Sequence, residues 1–353
     1  MATTIPTDAP VLVTGATGYV AGWIIKRLLE AGCTVHATVR NPDNTEKLAP
    51  LNALADGTNG SLKFFKADLM DADSFADAMR ECSVVFHTAS PFTVSVEDPQ
   101  RDLVDPAVNG TRHVLNEASR QSTVRRVVVT SSCAAIYGDN ADLENTANGI
   151  FTEDDWNTSS SLTHQAYSYS KTMAEREAWD IANAQDKWTL VTINPSFVLG
   201  PAINPNAGGE SMSFMKEMTD GTMKAGVPNI GMGIVDVRDV ATMHINAAFH
   251  PDADGRYITS GHNSSFAEIA AILREQFGSK LPVPKRTIPK AMAWLIGPIV
   301  DKRVTRTMVS RNVNKPWNGD HGKSVRDFDI SYRSLDDTVG DMFRQQLDAG
   351  TVG

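Results

Sequence analysis

The chain is predicted to be a doubly wound α/β protein: a parallel sheet with helices on both faces (a Rossmann arrangement) and a smaller C-terminal lobe. Two observations predict it. Short apolar runs alternate with helical stretches through the N-terminal part of the chain. The first run, Pro10-Val-Leu-Val-Thr14, passes through Gly15-Ala-Thr-Gly18-Tyr-Val-Ala21-Gly22 into the helical Trp23-Ile-Ile-Lys-Arg-Leu-Leu-Glu30. Unbroken apolar runs suit strands buried on both faces. Strands alternating with helices put a site at the strand C-termini.

Strand, glycine turn and helix in this order form a dinucleotide site. Gly15 permits the tight turn, Gly18 lets the backbone approach a pyrophosphate, and the helix N-terminus supplies N–H donors and partial positive charge. Ala21 stands where a third glycine is usual and is small enough for helix–strand packing. Thr17, Tyr19 and Val20 complete the turn. A second strand, Thr34-Val-His-Ala-Thr-Val-Arg40, ends where an NAD site would place a carboxylate for the ribose hydroxyls. Arg40, with Lys47 nearby, instead suits a 2′-phosphate, so NADP(H) is expected over NAD(H). The plainer reading of Arg40 is a solvated strand-end arginine.

The third strand runs to Asp68-Leu69, with Asp68 able to accept a hydrogen bond from an adenine amino group. The fourth ends in the small residues Thr88, Ala89 and Ser90, over which a cofactor can lie. The fifth, Val127-Val-Val-Thr130, leads to Ser131 and Ser132, and the sixth, Leu190-Val-Thr-Ile193, leads to Asn194-Pro195-Ser196-Phe197-Val198. Pro195 shapes a wall beside a nicotinamide, Phe197 and Val198 offer backbone groups to its carboxamide, and Ser211 joins the cofactor set. Helices are expected near 74–81, 102–120 and 165–185.

Tyr167 stands four residues before Lys171, one helical turn apart on the same face, and Ser132 lies thirty-five residues upstream of the tyrosine. Hydride arriving at a carbonyl builds negative charge on oxygen that a proton must meet. A phenol titrates near 10, and an adjacent ammonium lowers that value. Tyr167 is thus the expected proton donor and Lys171 its acidifier and ribose anchor. Ser132 is the donor that fixes the carbonyl, with Ser131 as competitor for that role.

Composition narrows the classes. A net charge of −9 without a basic stripe argues against a nucleic-acid surface. The first ten residues lack the basic start and apolar core of a signal peptide. The longest apolar stretch, Ala291–Val300, is too short to span a bilayer and contains a proline; it is read as a helix near the cleft or a packed core segment. Three widely spaced cysteines imply no disulfide framework, and the eight histidines show no metal-ligand spacing. A cytoplasmic enzyme, monomeric or homodimeric, with a small-molecule carbonyl substrate and no metal, membrane or nucleic-acid partner, is expected.

Together these residues resemble the extended short-chain dehydrogenase/reductases, and within them the dihydroflavonol reductase, cinnamoyl-CoA reductase and aldehyde reductase group. The resemblance is carried by Val13-Thr-Gly-Ala-Thr-Gly-Tyr-Val20, Ala37-Thr-Val-Arg-Asn-Pro42, Ala67-Asp-Leu69, Val85-Phe-His-Thr-Ala-Ser-Pro91, Val129-Thr-Ser-Ser132, Tyr167-Ser-Tyr-Ser-Lys171, Asn194-Pro195 and Val235-Asp-Val-Arg-Asp-Val240. It implies NADPH, hydride transfer to a carbonyl, and the roles given above to Ser132, Tyr167 and Lys171. It also implies Arg40 and Lys47 at the 2′-phosphate and Asp68 and Leu69 at adenine. Three departures bear on the reaction. Tyr137 replaces the asparagine that flavonoid reductases carry five residues after the serine. His164-Gln-Ala-Tyr-Ser-Tyr-Ser-Lys171 replaces the Asn-Trp-Tyr-Cys-Tyr-Gly-Lys run of the cinnamoyl-CoA enzymes. Ala107-Val-Asn-Gly-Thr111 lacks the relay asparagine. What remains is a reductase of aromatic or apolar aldehydes or ketones, with Phe92, Tyr137, Ser132 and Tyr167 lining the substrate.

The expected boundaries are 8–200 for the dinucleotide domain, with a returning segment near 233–262, and 201–232 with 263–353 for the substrate lobe. Met212, Phe214, Met215, Met218 and Met223 are read as either an adaptable pocket or ordinary core. Asp239 is read as a cap for a helix from Val240 to Phe249. Two other classes compete with a reductase: a nucleotide-sugar epimerase or dehydratase, and a non-catalytic NADP-binding regulator. The first favours an acidic residue near Arg40, and the second loses the Tyr–Lys pair.

Overall fold

A computed structural model describes residues 3–90, 96–205, 208–278, 281–300 and 304–352. Seven strands form one parallel sheet: β1 (Val11–Thr14), β2 (Thr34–Val39), β3 (Ser61–Lys66), β4 (Val84–His87), β5 (Arg126–Thr130), β6 (Thr189–Pro195) and, after three strands that lie elsewhere, β10 (Gly255–Thr259). Their spatial order is β10-β6-β5-β4-β1-β2-β3, so the chain reverses direction beside β1, between β2 and β4. That reversal opens a crevice at the strand C-termini.

The strand sequences explain why helices cover both faces. Successive side chains of a strand point to opposite sides. Val11 and Val13 pack with Ile24, Ile25 and Leu28 of α1 (Tyr19–Glu30) and with Leu48 and Leu51 of α2 (Thr45–Asp56). Leu12, between them, packs on the other side with Met79 of α3 (Ala76–Met79), Val114 and Leu115 of α4 (Asp105–Arg120) and Ala178 of α5 (Ala166–Asn183). Val128 faces the first core, while Val127 and Val129 face the second. Each such side chain removed from water contributes roughly 1.5–3 kcal/mol, so a polar residue on either face would be costly.

The sequence expectation ran the third strand through Asp68-Leu69 and the fourth to Ser90; pairing stops at Lys66 and His87. The unpaired residues beyond them form the crevice floor. The seventh strand, β10, was not foreseen as a strand, because Gly255-Arg-Tyr-Ile-Thr259 begins with a glycine and a buried arginine.

The remaining strands and α-helices lie outside the large sheet, and several of them build a third core. They are β7 (Phe197–Leu199), α6 (Glu210–Thr219), β8 (Val227–Pro228), β9 (Gly231–Asp236), α7 (Val237–Phe249), β11 (His262–Ser265), α8 (Phe266–Phe277), β12 (Thr287–Ile288), α9 (Lys290–Val300), α10 (Arg306–Asn312), α11 (Gly322–Phe328) and α12 (Leu335–Asp348). Of these, α7 packs back on α1 beneath the large sheet through Ala241, Met243 and Ile245. Phe214, Met215 and Met218 are buried with Leu273, Val339 and Phe343, and Met212 and Met223 pack against that cluster. These methionines are core. Asp236, not Asp239, caps α7 by accepting from the Arg238 N–H at 2.8 Å. Asp239 instead receives the Arg333 N–H at 2.8 Å and pairs with its guanidinium.

Candidate active site

The glycine turn lies at the C-terminal end of β1. Gly15 has φ of +66°, and a Cβ there would meet the Ala89 Cα at 2.9 Å, so both backbone conformation and space require glycine. Thr14 binds the next strand end to the turn. Its hydroxyl accepts from the Thr88 and Ala89 N–H groups at 3.2 and 3.1 Å, and its carbonyl accepts from the Thr88 hydroxyl at 2.5 Å. The Thr88 side chain is therefore engaged in holding the two strand ends together. Gly18 precedes α1 without a side-chain cap, and the first turn of α1 holds no acidic residue. Thr17, Tyr19 and Lys47 line one small crevice with Gly18 and Gly22. The Tyr19 hydroxyl donates to the Gly200 carbonyl, which fastens the turn to the segment after β7.

Arg40 directly follows β2 and is exposed, as is Lys47 in the first turn of α2. Neither forms an ion pair with a described carboxylate. Free helix N–H groups with two uncompensated cations alongside are a donor set fitted to an anionic, phosphate-bearing ligand. Asp68 is exposed, with one carboxylate oxygen accepting from the Met70 N–H at 2.9 Å. Leu69 packs on Gly110 of α4, and its carbonyl pairs with His113.

Lys171 and Tyr167 come from α5. The Lys171 ammonium donates to the Ser90 hydroxyl at 2.8 Å, bridging α5 to the end of β4, and lies 5.8 Å from the centre of the Tyr167 ring. Burial pushes Lys171 down to about 8. In the ligand-free chain, burial and a nearby carboxylate outweigh the expected acidification of the phenol by this lysine. Tyr167 is pushed up to about 12, first by desolvation and then by the Glu210 carboxylate at the start of α6. Tyr167 is nevertheless 55% exposed, so solvent reaches the phenol. The ammonium is engaged by Ser90, and the upward shift keeps the phenol a neutral acid.

The two serines after β5 have separate tasks. Ser131 is buried and donates to Glu175. Ser132 is half-buried, its oxygen accepts from the Ala134 N–H at 3.1 Å, and its own proton has no acceptor among the described residues. The free hydroxyl is thus Ser132.

Sequence reasoning missed the group that enforces this division. Glu175, one turn beyond Lys171 and fully buried, accepts from Arg256 of β10 at 2.6 Å, from Thr192 at 3.1 Å and from the Asn194 amide at 2.7 Å. Asn194 also donates to the Ser132 carbonyl at 3.2 Å. The i, i+4 spacing from Lys171 was the only local signal for it. Thr130 pairs with His244 at 2.7 Å, and burial pushes that imidazole down to about 4, so it is neutral. The Ser211 hydroxyl donates to the Val198 carbonyl at 2.6 Å, joining two residues that the sequence assigned to one ligand, and Pro195 closes β6 just before them.

Tyr137 is stacked on Phe151 at 4.9 Å and lies 6.0 Å from Trp317, half-buried in an aromatic cluster. Phe92 lies outside the described residues. Cys133 is buried and donates to the Asn194 carbonyl at 3.1 Å, which makes it a packed thiol. Among the described residues no group of His, Cys, Asp and Glu is arranged to hold a metal ion.

A parallel sheet with a glycine turn at its reversal point, and a Tyr–Lys helix beside a free serine, defines a dinucleotide-dependent oxidoreductase scaffold of the extended short-chain type. The chain belongs to the NAD dependent epimerase/dehydratase family, whose model matches residues 11–259. It is 37% identical over 280 residues to cinnamoyl-CoA reductase CAD2 of Medicago truncatula, covering 78% of this chain and 83% of that one. It is 36% identical to anthocyanidin reductase of Arabidopsis thaliana, covering 78% and 85%. Among solved structures it is similar to the yeast methylglyoxal/isovaleraldehyde reductase Gre2 complexed with NADPH (TM-score 0.78, 26% identity, 97% of this chain and 99% of that one).

Proposed function

We propose that this protein reduces aldehydes or ketones bearing an aromatic or apolar group to the alcohols, using NADPH. The observation that carries the reading is the Lys171–Ser90 bridge, which holds the Tyr167 helix against the strand end where the dinucleotide crevice opens. NADPH, when bound, supplies the hydride. Gly15, Thr17, Gly18, Tyr19 and Val20 hold the pyrophosphate, Arg40 and Lys47 the 2′-phosphate, and Asp68 and Leu69 the adenine. Ala89, Ser90, Thr130, Pro195, Val198 and Ser211 frame the nicotinamide end, and Lys171 binds its ribose.

Tyr167 gives its proton to the carbonyl oxygen as negative charge develops there, and the free Ser132 hydroxyl hydrogen-bonds the same oxygen. A neutral phenol is the protonation state that reduction requires of a donor. The ammonium of Lys171 stabilises the phenolate once the proton has left. The residues after Pro201, apart from the returning segment near 233–262, act as the substrate lobe.

Relatives support the reductase reading over the epimerase one. Cinnamoyl-CoA, anthocyanidin and aldehyde reductases are among the similar proteins, and Arg40 stands where NAD-dependent enzymes place a carboxylate. The test is to mix the protein with NADPH and either aromatic aldehydes and ketones or a nucleotide sugar, following absorbance of the reduced cofactor. Stoichiometric NADPH oxidation with a carbonyl compound is expected. Conversion of the sugar with no net cofactor consumption would overturn the proposal.

A further inference from the structure

After Lys290, helix α9 is apolar around its whole circumference yet buries none of its residues. From Ala291 to Val300 it carries no polar side chain, and Met292, Trp294, Leu295 and Ile296 are exposed. Ile299 and Val300 are 82% and 79% exposed. Neither sequence expectation for this segment, cleft wall or packed core, describes it. A helix hydrophobic on all sides is stable at a surface only when something covers it.

The rim of the helix says what that is. Lys285, Arg286, Lys290 and Arg306 flank it, and none forms an ion pair with a described carboxylate. Lys290 reaches the Ser310 carbonyl at 2.8 Å, and the Arg306 guanidinium lies 4.6 Å from the Trp294 ring centre. Between 281 and 312 the sequence has seven Lys and Arg against a single acidic residue, Asp301, in a chain whose net charge is −9. An apolar ridge flanked by cations on an otherwise acidic protein is complementary to an anionic lipid surface.

We propose that α9 docks this protein on anionic phospholipid membranes. The helix lies in the headgroup plane with Leu295, Ile296, Ile299 and Val300 among the acyl chains and Lys285, Arg286, Lys290 and Arg306 against the phosphates. The Trp294 indole sits at the boundary between them. Among the described residues no helix is long and apolar enough to cross a membrane, so the contact is peripheral. A second copy is the poorer occupant. A two-fold contact through α9 would set a segment with seven cations and one carboxylate against its own copy, like charge against like.

The experiment is flotation of the full chain with vesicles of phosphatidylcholine alone or with phosphatidylserine, at low and high salt. Binding to the phosphatidylserine vesicles, weakened by salt and about tenfold or more lower without the anionic lipid, is expected. L295D/I299D should abolish it and K290E/R306E should weaken it about tenfold or more, each with an unchanged unfolding temperature. Failure to float with phosphatidylserine vesicles, or flotation that L295D/I299D leaves intact, would overturn the proposal. So would a dimer in sedimentation that the same substitutions dissolve.

Discussion

Arg256 and Glu175 pair at 2.6 Å, both buried. Arg256 belongs to β10, and Glu175 to the helix that presents Tyr167 and Lys171. Glu175 in turn holds Ser131 and Asn194, and Asn194 holds the Ser132 carbonyl. One buried carboxylate therefore fixes the serine loop relative to the tyrosine helix.

Removing that charge strands a buried guanidinium. Glu175→Gln should destabilise the fold by about 3–5 kcal/mol, read from the midpoint of urea unfolding. An unchanged midpoint would show that Arg256 finds its compensation elsewhere.

Arg40 is the uncompensated cation at the end of β2. Arg40→Asp should weaken NADPH binding roughly 10- to 100-fold, the range for one charge-assisted hydrogen bond, and move preference toward NADH. Titration of the variant with each cofactor measures this, and an unaltered ratio of affinities would remove Arg40 from the 2′-phosphate site.

Burial holds Lys171 at about 8, below the usual lysine range. The ammonium is the form that stabilises a phenolate, and raising the pH removes it. The kcat/KM for carbonyl reduction, which reports free-enzyme ionisations, should fall above about pH 8. Lys171→Arg should keep its charge and shift that fall upward. A profile flat through the alkaline range would contradict the assignment.

Gly15→Ala combines a positive φ with a Cβ placed 2.9 Å from the Ala89 backbone. The substitution should cost about 1–3 kcal/mol of stability and lower affinity for NADPH, as measured by thermal unfolding with and without cofactor. Equal stabilisation of both proteins by cofactor would show that the turn does not approach the dinucleotide.

Local pattern made much of this legible in the sequence. The glycine turn and the first six strands could be read because each is encoded by neighbouring residues, as Val11, Leu12 and Val13 illustrate by serving both cores. The division of labour between Ser131 and Ser132 could not be read, because it is decided by Glu175, distant in sequence. For the same reason β10 was hidden: Arg256 looks foreign to a buried strand until its partner is known. The bridge from Lys171 to Ser90 was equally hidden, because only the folded strand end supplies that acceptor. The run at α9 read as cleft or core because an apolar sequence does not record whether anything covers it.

The proton donor is the centre of the account, and Tyr167→Phe tests it most directly, with turnover and NADPH binding measured on the same preparation. Loss of the hydroxyl should lower kcat for an aromatic aldehyde by about 10²–10⁴ while cofactor affinity stays within about twofold. A Phe variant that reduces the aldehyde at the parent rate would contradict the assignment of Tyr167 and, with it, the proposed mechanism.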